Sequence, residues 1–490
     1  MSTKGNGVLE HTLGEILDLV KPSNDDWVAR FQVIEEFQGV VESLQSLNGA
    51  TVEPFGSFVS NLFTRWGDLD ISIQLANGSF ISSSGKKQRQ KLLGDLTKAM
   101  RQKGGWNKLQ LIRNARVPIL KVESNIQNIS CDISIDNLQG QMKSKLLLWI
   151  NEIDTRFRDM VLLVKEWAKS RNINNPKSGT FNSYSLCLLV IFHFQTCQPA
   201  IFPPLKDIYP GNITDDLQGL RVNAERLVSE TCKANIARFR SDSRRAVNQS
   251  SLSELFMSFL AKFSNISSWA SELGISPYTG QWEHIASNTR WLPQTCALFV
   301  EDPFERPENS ARAVNKSHLT RISEAFQSTR NRLMSANLNQ SSLLSTLVQQ
   351  QTFHLLPRNQ RYNARGYQPT LPHWQSTEHV RSPNTRRDGI HHEQTRTQIT
   401  HSYSSVRPQM AHRYSNVRPQ TGHTYSNVRP QTAHPYSSAR PQMTNSYSQV
   451  QPQYQSTMYQ GNYNNSPTTG YYAPTYSNHG QQSWRPKSGR

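Results

Sequence analysis

Apolar residues recur with helical spacing in LGEILDLV (13–20) and again in VARFQVIEEFQGVVESLQSL (28–47), and Pro22-Ser23-Asn24-Asp25 breaks the pattern between them. The period then shortens. TVEPF (51–55), DLDISIQL (68–75), VPILKV (117–122) and ISCDISI (129–135) have β character, and three of them alternate polar and apolar positions. QKLLGDLTKAMRQ (90–102), closed by Gly104-Gly105, reads as a helix between strands. This order predicts an α/β domain with a small mixed sheet over residues 49–142, preceded by N-terminal helices (1–48) that pack on the core.

From residue 143 to about 330 the pattern predicts a mainly helical domain. RFRDMVLLVKEWAKS (156–170) is amphipathic. FNSYSLCLLVIFHFQ (181–195) is apolar on all sides and reads as a buried helix, with a strand as the alternative because β-branched and aromatic residues are frequent. In SSLSELFMSFLAKFSN (250–265), Ser251 followed three residues later by Glu254 is a helix-start signature.

The last third differs in kind. Residues 331–490 contain three acidic residues, Glu378, Asp388 and Glu393, and are dominated by Gln, Asn, Ser, Pro and Tyr. An eleven-residue repeat runs through HSYSSVRPQMA, HRYSNVRPQTG, HTYSNVRPQTA and HPYSSARPQMT (401–444). One proline per repeat forbids a long helix, and the apolar content is too low for a core. Residues 346–490 are therefore expected to be a disordered tail.

Composition sharpens this picture. Hydrophobic residues make up 36% of the 490, a deficit that falls mainly in the tail, so the preceding part can still bury a large core. The formal net charge of +18 favours a polyanionic partner. Five cysteines (Cys131, Cys187, Cys197, Cys232 and Cys296), widely spaced and odd in number, argue against a disulfide framework and for a reducing compartment. The N-terminal MSTKGNGVLE lacks the apolar run of a signal peptide, and Leu186–Phe194 is too short to span a bilayer.

The chemistry concentrates in GSFVSNLFTRWGDLDISI (56–73). Asp68 and Asp70 are two apart in a strand, which points both carboxylates to one face. Asp132 lies in another strand. If the strands are neighbours, three carboxylates converge at a sheet edge, an arrangement that repels itself unless a cation is present. Hard cations such as Mg²⁺ or Mn²⁺, acting as a pair, match oxygen ligands and phosphoryl transfer. Gly56 permits close backbone approach, and Ser57 can donate to a phosphate. Lys165 and Lys169, four apart on one helix, can both reach phosphates. His193 reads as a core histidine, and the tail histidines at 401, 412, 423 and 434 do not make a metal site.

GSFVSNLFTRWGDLDISI resembles the signature of the DNA polymerase β-type nucleotidyltransferase superfamily. More narrowly it resembles the noncanonical poly(A) polymerases and terminal uridylyltransferases, among them the plant terminal RNA uridylyltransferases that tail unmethylated small RNAs. VPILK, CDISIDN, LLVKEWAKSRNIN, GTFNSYSLCLLVIFHF and FVEDPFERPENSARAV extend the likeness over roughly residues 10–330. The resemblance implies a nucleotidyltransferase catalytic domain at 49–142 and a helical, nucleotide-recognition (poly(A)-polymerase-associated) domain at 143–330. It implies that Asp68, Asp70 and Asp132 are catalytic and hold the metals, with Asp132 activating the RNA 3′-hydroxyl. Gly56, Ser57, Lys165, Lys169 and Ser183 would bind the nucleotide, Tyr184 would stack on the base, and Asp302 would belong to the recognition loop.

The implied reaction is transfer of UMP from UTP to the 3′-hydroxyl of RNA: unmethylated microRNAs and siRNAs, with cleaved-target fragments as further substrates, all marked for degradation. Argonaute-type effector proteins would be partners, and the cytoplasm, P-bodies and nucleus the locations. Two positions depart from the family pattern: Glu308 stands where a uracil-selecting histidine is frequent, and Lys143, followed by Ser144, stands where an asparagine near the ribose is frequent. A poly(A) polymerase is therefore the alternative within the class. A non-catalytic RNA-binding scaffold is the alternative outside it, although no catalytic acid is missing. In the tail, Arg407, Arg418, Arg429 and Arg440 repeat with Tyr403, Tyr414, Tyr425 and Tyr436, which suits weak multivalent RNA contacts or a passive tail.

Overall fold

The computed structural model describes residues 3–76, 81, 85–292, 296–335 and 339–355. Helices α1 (Thr3–Val20) and α2 (Asn24–Glu42) come first. The break between them falls where the sequence places it, and a capping box starts α2: Ser23 accepts from Asp26 N while the Asp26 side chain accepts from the Ser23 backbone. Five strands follow: β1 (Thr51–Phe55), β2 (Leu69–Gln74), β3 (Trp106–Ile112), β4 (Ile119–Ser124) and β5 (Ser130–Ile135). A one-turn helix, α3 (Gly56–Val59), leaves β1, and α4 (Lys86–Lys103) connects β2 to β3.

The sheet order is β1-β2-β5-β4-β3. β2 and β5 are parallel, and the other neighbours are antiparallel. Leu69, Ile71 and Ile73 of β2 and Cys131, Ile133 and Ile135 of β5 are fully buried. They form one core with Val33, Phe37 and Val40 of α2 and with Leu93, Leu96 and Met100 of α4. Because side chains alternate along a strand, the intervening Asp70 and Asp132 are directed to the opposite face. That face is where the second domain begins.

The second domain comprises α5 (Leu138–Asn151), α6 (Thr155–Ser170), α7 (Ser183–Thr196), α8 (Ile213–Asp216), α9 (Arg221–Ser241), α10 (Leu252–Phe263), α11 (Ile266–Trp269) and α12 (Lys316–Leu333), with α13 (Gln340–Leu347) and α14 (Gln350–His354) after them. A hairpin, β6 (Leu273–Ser276) and β7 (Gln281–His284), interrupts the helices. The α/β domain with a small mixed sheet and the mainly helical domain are thus the architecture expected. The apolar segment 181–195 is helix and not strand: Asn182 caps α7 by accepting from Ser185 N at 2.7 Å, and nearly the whole helix is buried. The Ser251–Glu254 capping box of α10 is also present.

Three elements add to or depart from expectation. The N-terminal helices pack on the core as expected, but on two parts of it: α1 packs Leu9, Leu13, Ile16 and Val20 into the helical domain's core, whereas α2 packs under the sheet. β3 was not anticipated, because a register shift between Asn107 and Gln110, with Lys108 at φ +51°, breaks its polar–apolar alternation. The third is a correction to the start of the tail at 346. Leu347 and Val348 are buried in the core, and α14 is docked by Glu166 of α6. That buried carboxylate accepts from Gln349 N at 3.0 Å, from the Gln349 side chain at 3.2 Å and from the Thr352 hydroxyl at 2.5 Å. The repeats at 401–444 lie outside the described residues. No described helix is long and apolar enough to cross a membrane.

Candidate active site

β1 ends at Phe55, opposite Asp70 of β2. The chain then turns through Gly56 at φ +69° into α3. A side chain is excluded here twice over. The conformation is left-handed, and a Cβ would collide with the Asp70 carboxylate, approaching its Cγ to 2.7 Å. The Gly56 amide donates to Ser144 Oγ at 2.7 Å, and Ser144 donates onward to Gly140 O at 2.7 Å, so α5 fixes this turn from the other side. Ser57 follows within α3.

Asp70 and Asp132 are direct cross-strand partners on the parallel β2–β5 pair, and Asp68 precedes β2 on the exposed side. Burial, then the charges of Asp132 and Asp68, push the Asp70 carboxyl up to about 7. Asp68 is also raised, by burial and then by Asp132. The carboxylates therefore do feel one another, as expected. They are not closed around a shared point: among the described residues no three acidic, His or Cys side chains are gathered tightly enough to enclose an ion. Lys121 is drawn onto one of them. It sits opposite Asp132 on β4 and donates to both carboxylate oxygens, 2.6 Å from Oδ2. Its ammonium is a stand-in cation on this carboxylate.

The helical domain supplies the other wall. Lys165 of α6 is buried and donates to Leu62 O at 2.9 Å, next to the loop that leads into Asp68. Burial, then Lys169, lowers its pKa to about 8. Lys169 is half-buried one turn further along. Ser183, the first residue of α7, is exposed, and its hydroxyl accepts from Asn174 at 3.3 Å. Tyr184 donates its phenol to Asp302 Oδ1 at 3.0 Å. Burial, then the Asp302 carboxylate, holds that phenol well above its usual value, so it remains a donor.

Asp302 is itself locked by the Phe304 amide at 3.1 Å and the Glu305 amide at 3.3 Å, and it pairs with Lys143. Lys143 also reaches Glu305 at 2.7 Å, and Arg116 joins Glu305 at 3.3 Å. The sites named from the sequence thus fall into two groups: Gly56, Ser57, Asp68, Asp70 and Asp132 at the sheet, and Ser183, Tyr184 and Asp302 at the helical wall. Lys165 and Lys169 lie between them on α6.

Residues 9–152 match the family of the mitochondrial-like poly(A) RNA polymerase central palm domain. The chain is 56% identical to Arabidopsis thaliana Protein HESO1 over 365 residues, 74% of this chain and 71% of that protein. It belongs to the terminal RNA nucleotidyltransferases. Human poly(A) RNA polymerase GLD2 is a more distant member, 29% identical over 57% of this chain and 55% of its own. A crystal structure of the Cid1 poly(U) polymerase with MgGTP shares the fold, with a TM-score of 0.55 and 24% identity over 68% of this chain and 97% of that one.

Within this terminal nucleotidyltransferase, sequence reasoning missed Lys121, Glu305 and Arg116 as parts of the site. VPILKV reads simply as a strand, and Arg116 precedes it in a loop. Only the pairing of β4 with β5 sets Lys121 against Asp132.

Proposed function

We propose that this enzyme transfers UMP from UTP to the 3′-hydroxyl of small RNAs, with unmethylated microRNAs and siRNAs as the substrate class and Argonaute-type proteins as partners that present them. The observation that carries the chemistry is the in-register pair Asp70–Asp132 beside Asp68, facing a wall that holds Tyr184 and Asp302. The choice of UTP is supported by the sequence likeness to terminal uridylyltransferases and by the shared fold of a poly(U) polymerase.

The donor set fits divalent cations. Three carboxylates, one pushed up to about 7 by burial and by its neighbours, and a lysine drawn onto a second describe a site whose negative charge calls for a counter-cation. Asp68, Asp70 and Asp132 would hold Mg²⁺ or Mn²⁺, which lowers the pKa of the attacking hydroxyl and neutralises the departing pyrophosphate. In the reaction the RNA 3′-oxygen bonds to the α-phosphorus and the bond from that phosphorus to the bridging oxygen breaks. Asp132 takes the hydroxyl proton. Gly56 and Ser57 lie where the triphosphate passes, Lys165 and Lys169 supply positive charge toward it, Ser183 borders it, and Tyr184 stacks on the base.

The test is extension of a labelled 21-nucleotide RNA with each nucleoside triphosphate supplied separately, the RNA ending in either a free or a 2′-O-methylated ribose. Extension with UTP on the free end, and little on the methylated end, is the expected result. Equal use of both ends would remove the substrate assignment, and extension with ATP alone would favour the poly(A) polymerase reading.

A further inference from the structure

Lys143 is the family departure that the geometry turns into an asset. Its side chain is 15% exposed and comes from α5, one residue before the Ser144 that fixes the Gly56 turn. Its ammonium has three protons. One goes to Asp302 and one to Glu305. The nitrogen stands over the Tyr184 ring, 5.4 Å from its centre, and among the described residues no acceptor takes the third. A cation needed only to neutralise the two acids would not have to be placed over an aromatic face.

The surrounding charges keep it there. Arg116 shares Glu305 with Lys143 and lies 3.6 Å from Glu308, while Arg312 holds Glu308 at 3.0 Å. Glu308 is thus tied to two arginines at the exposed rim and does not compete for Lys143. Asp302, Glu305 and Glu308 are matched by Lys143, Arg116 and Arg312, so the cluster is electrically balanced and has no need of a further ion.

We propose that Lys143 determines base specificity by donating its remaining proton to the C4 carbonyl of a uracil stacked on Tyr184. An ammonium is a donor only. Uracil offers an acceptor at C4, where cytosine offers an amine, and adenine carries an amine at C6. Two donors facing each other leave both unsatisfied and desolvated. Of the two uracil carbonyls, only the one at C4 distinguishes uracil from cytosine, a base of the same size. The inference rests on the uridylyl reading above. Glu305 and Asp302 are positioning residues in it, since they aim the ammonium without touching the base.

The experiment measures uridine against cytidine incorporation into one RNA primer at equal UTP and CTP, together with kcat and KM for UTP, on the full chain. Lys143→Met alone removes the cation shared by two buried carboxylates, so it is paired with Glu305→Gln. The double variant should lose about tenfold or more of the U:C ratio, chiefly through KM, and Lys143→Arg, which stays a donor, should retain most of it. A folded double variant with an unchanged ratio overturns the inference and leaves the uridylyl reading standing. Unaltered protein that adds mainly adenosine overturns both. A second arm needs no variant: 4-thio-UTP, whose sulfur is a weaker acceptor, should be used several-fold less well than UTP by the unaltered enzyme, and equal use overturns the inference.

Discussion

Replacing Gly56 by alanine tests the catalytic geometry with a single methyl group. Two costs add. The left-handed φ of +69° disfavours a Cβ by about 1–2 kcal/mol. The methyl also meets the Asp70 carboxylate, with Cγ at 2.7 Å, so either the turn or Asp70 must move. The turn is held by Ser144, and Asp70 is held by its place in β2 between β1 and β5. Moving a reacting group by about 1 Å costs on the order of 100-fold in rate. Gly56→Ala should therefore lose a few degrees of thermal stability and about 100-fold in kcat, measured by extension of a labelled RNA with saturating UTP. Gly94→Ala is the control. Its Cβ meets nothing within 4 Å and it lies inside α4, so it should gain about 0.5–1 kcal/mol and keep full activity. A folded Gly56→Ala protein within threefold of wild-type activity would show that Asp70 is not held where the chemistry occurs.

Asp70 has a folded pKa of about 7 against an ordinary 3.8, so the stability carried by its protonated form is complete below 3.8 and is lost as pH rises through about 7. In EDTA, the melting-temperature advantage of Asp70→Asn over the wild type should be smallest near pH ~4, grow as pH rises toward about 7 and stay constant above it; a difference that does not change over that range would contradict the burial and crowding of this carboxylate. Asp70→Asn should also abolish extension. Cutting the chain after residue 355 should preserve turnover at saturating RNA, whereas cutting after 345 removes the buried Leu347 and Val348, worth about 1.5–3 kcal/mol each, and should lower the melting temperature markedly. Glu166→Ala should speed amide exchange in residues 349–354 without changing it in the sheet, since that carboxylate receives three hydrogen bonds from the segment.

What could be read locally was legible. Asp70 and Asp132 stand in short strands whose alternation is visible, Asp68 lies immediately before one of them, and Gly56 announces a turn where a side chain cannot fit. The break at residues 22–25, the cap at Ser251 and the buried helix α7 were equally readable, because turn residues, cap residues and apolar runs carry their signal within a few positions. The missed parts depend on distance along the chain. Lys121 acquires meaning only when β4 lies beside β5, and Lys143 meets Asp302 across 159 residues. β3 was hidden by its own bulge. α14 is short and polar, and it stays in place because a buried glutamate on α6 accepts its amide and side-chain donors. The same limit explains why Lys143 read as the loss of an asparagine: its neighbours, not its type, give it a role.

The most direct measurement of the central claim is the sequence of the tails added to one small RNA by the full chain when UTP, ATP, CTP and GTP are present at equal concentration, with Asp70→Asn run in parallel. The account expects tails made chiefly of uridine from the unaltered protein and none from the variant. Tails made chiefly of adenosine, or extension that survives Asp70→Asn in a folded protein, would contradict it.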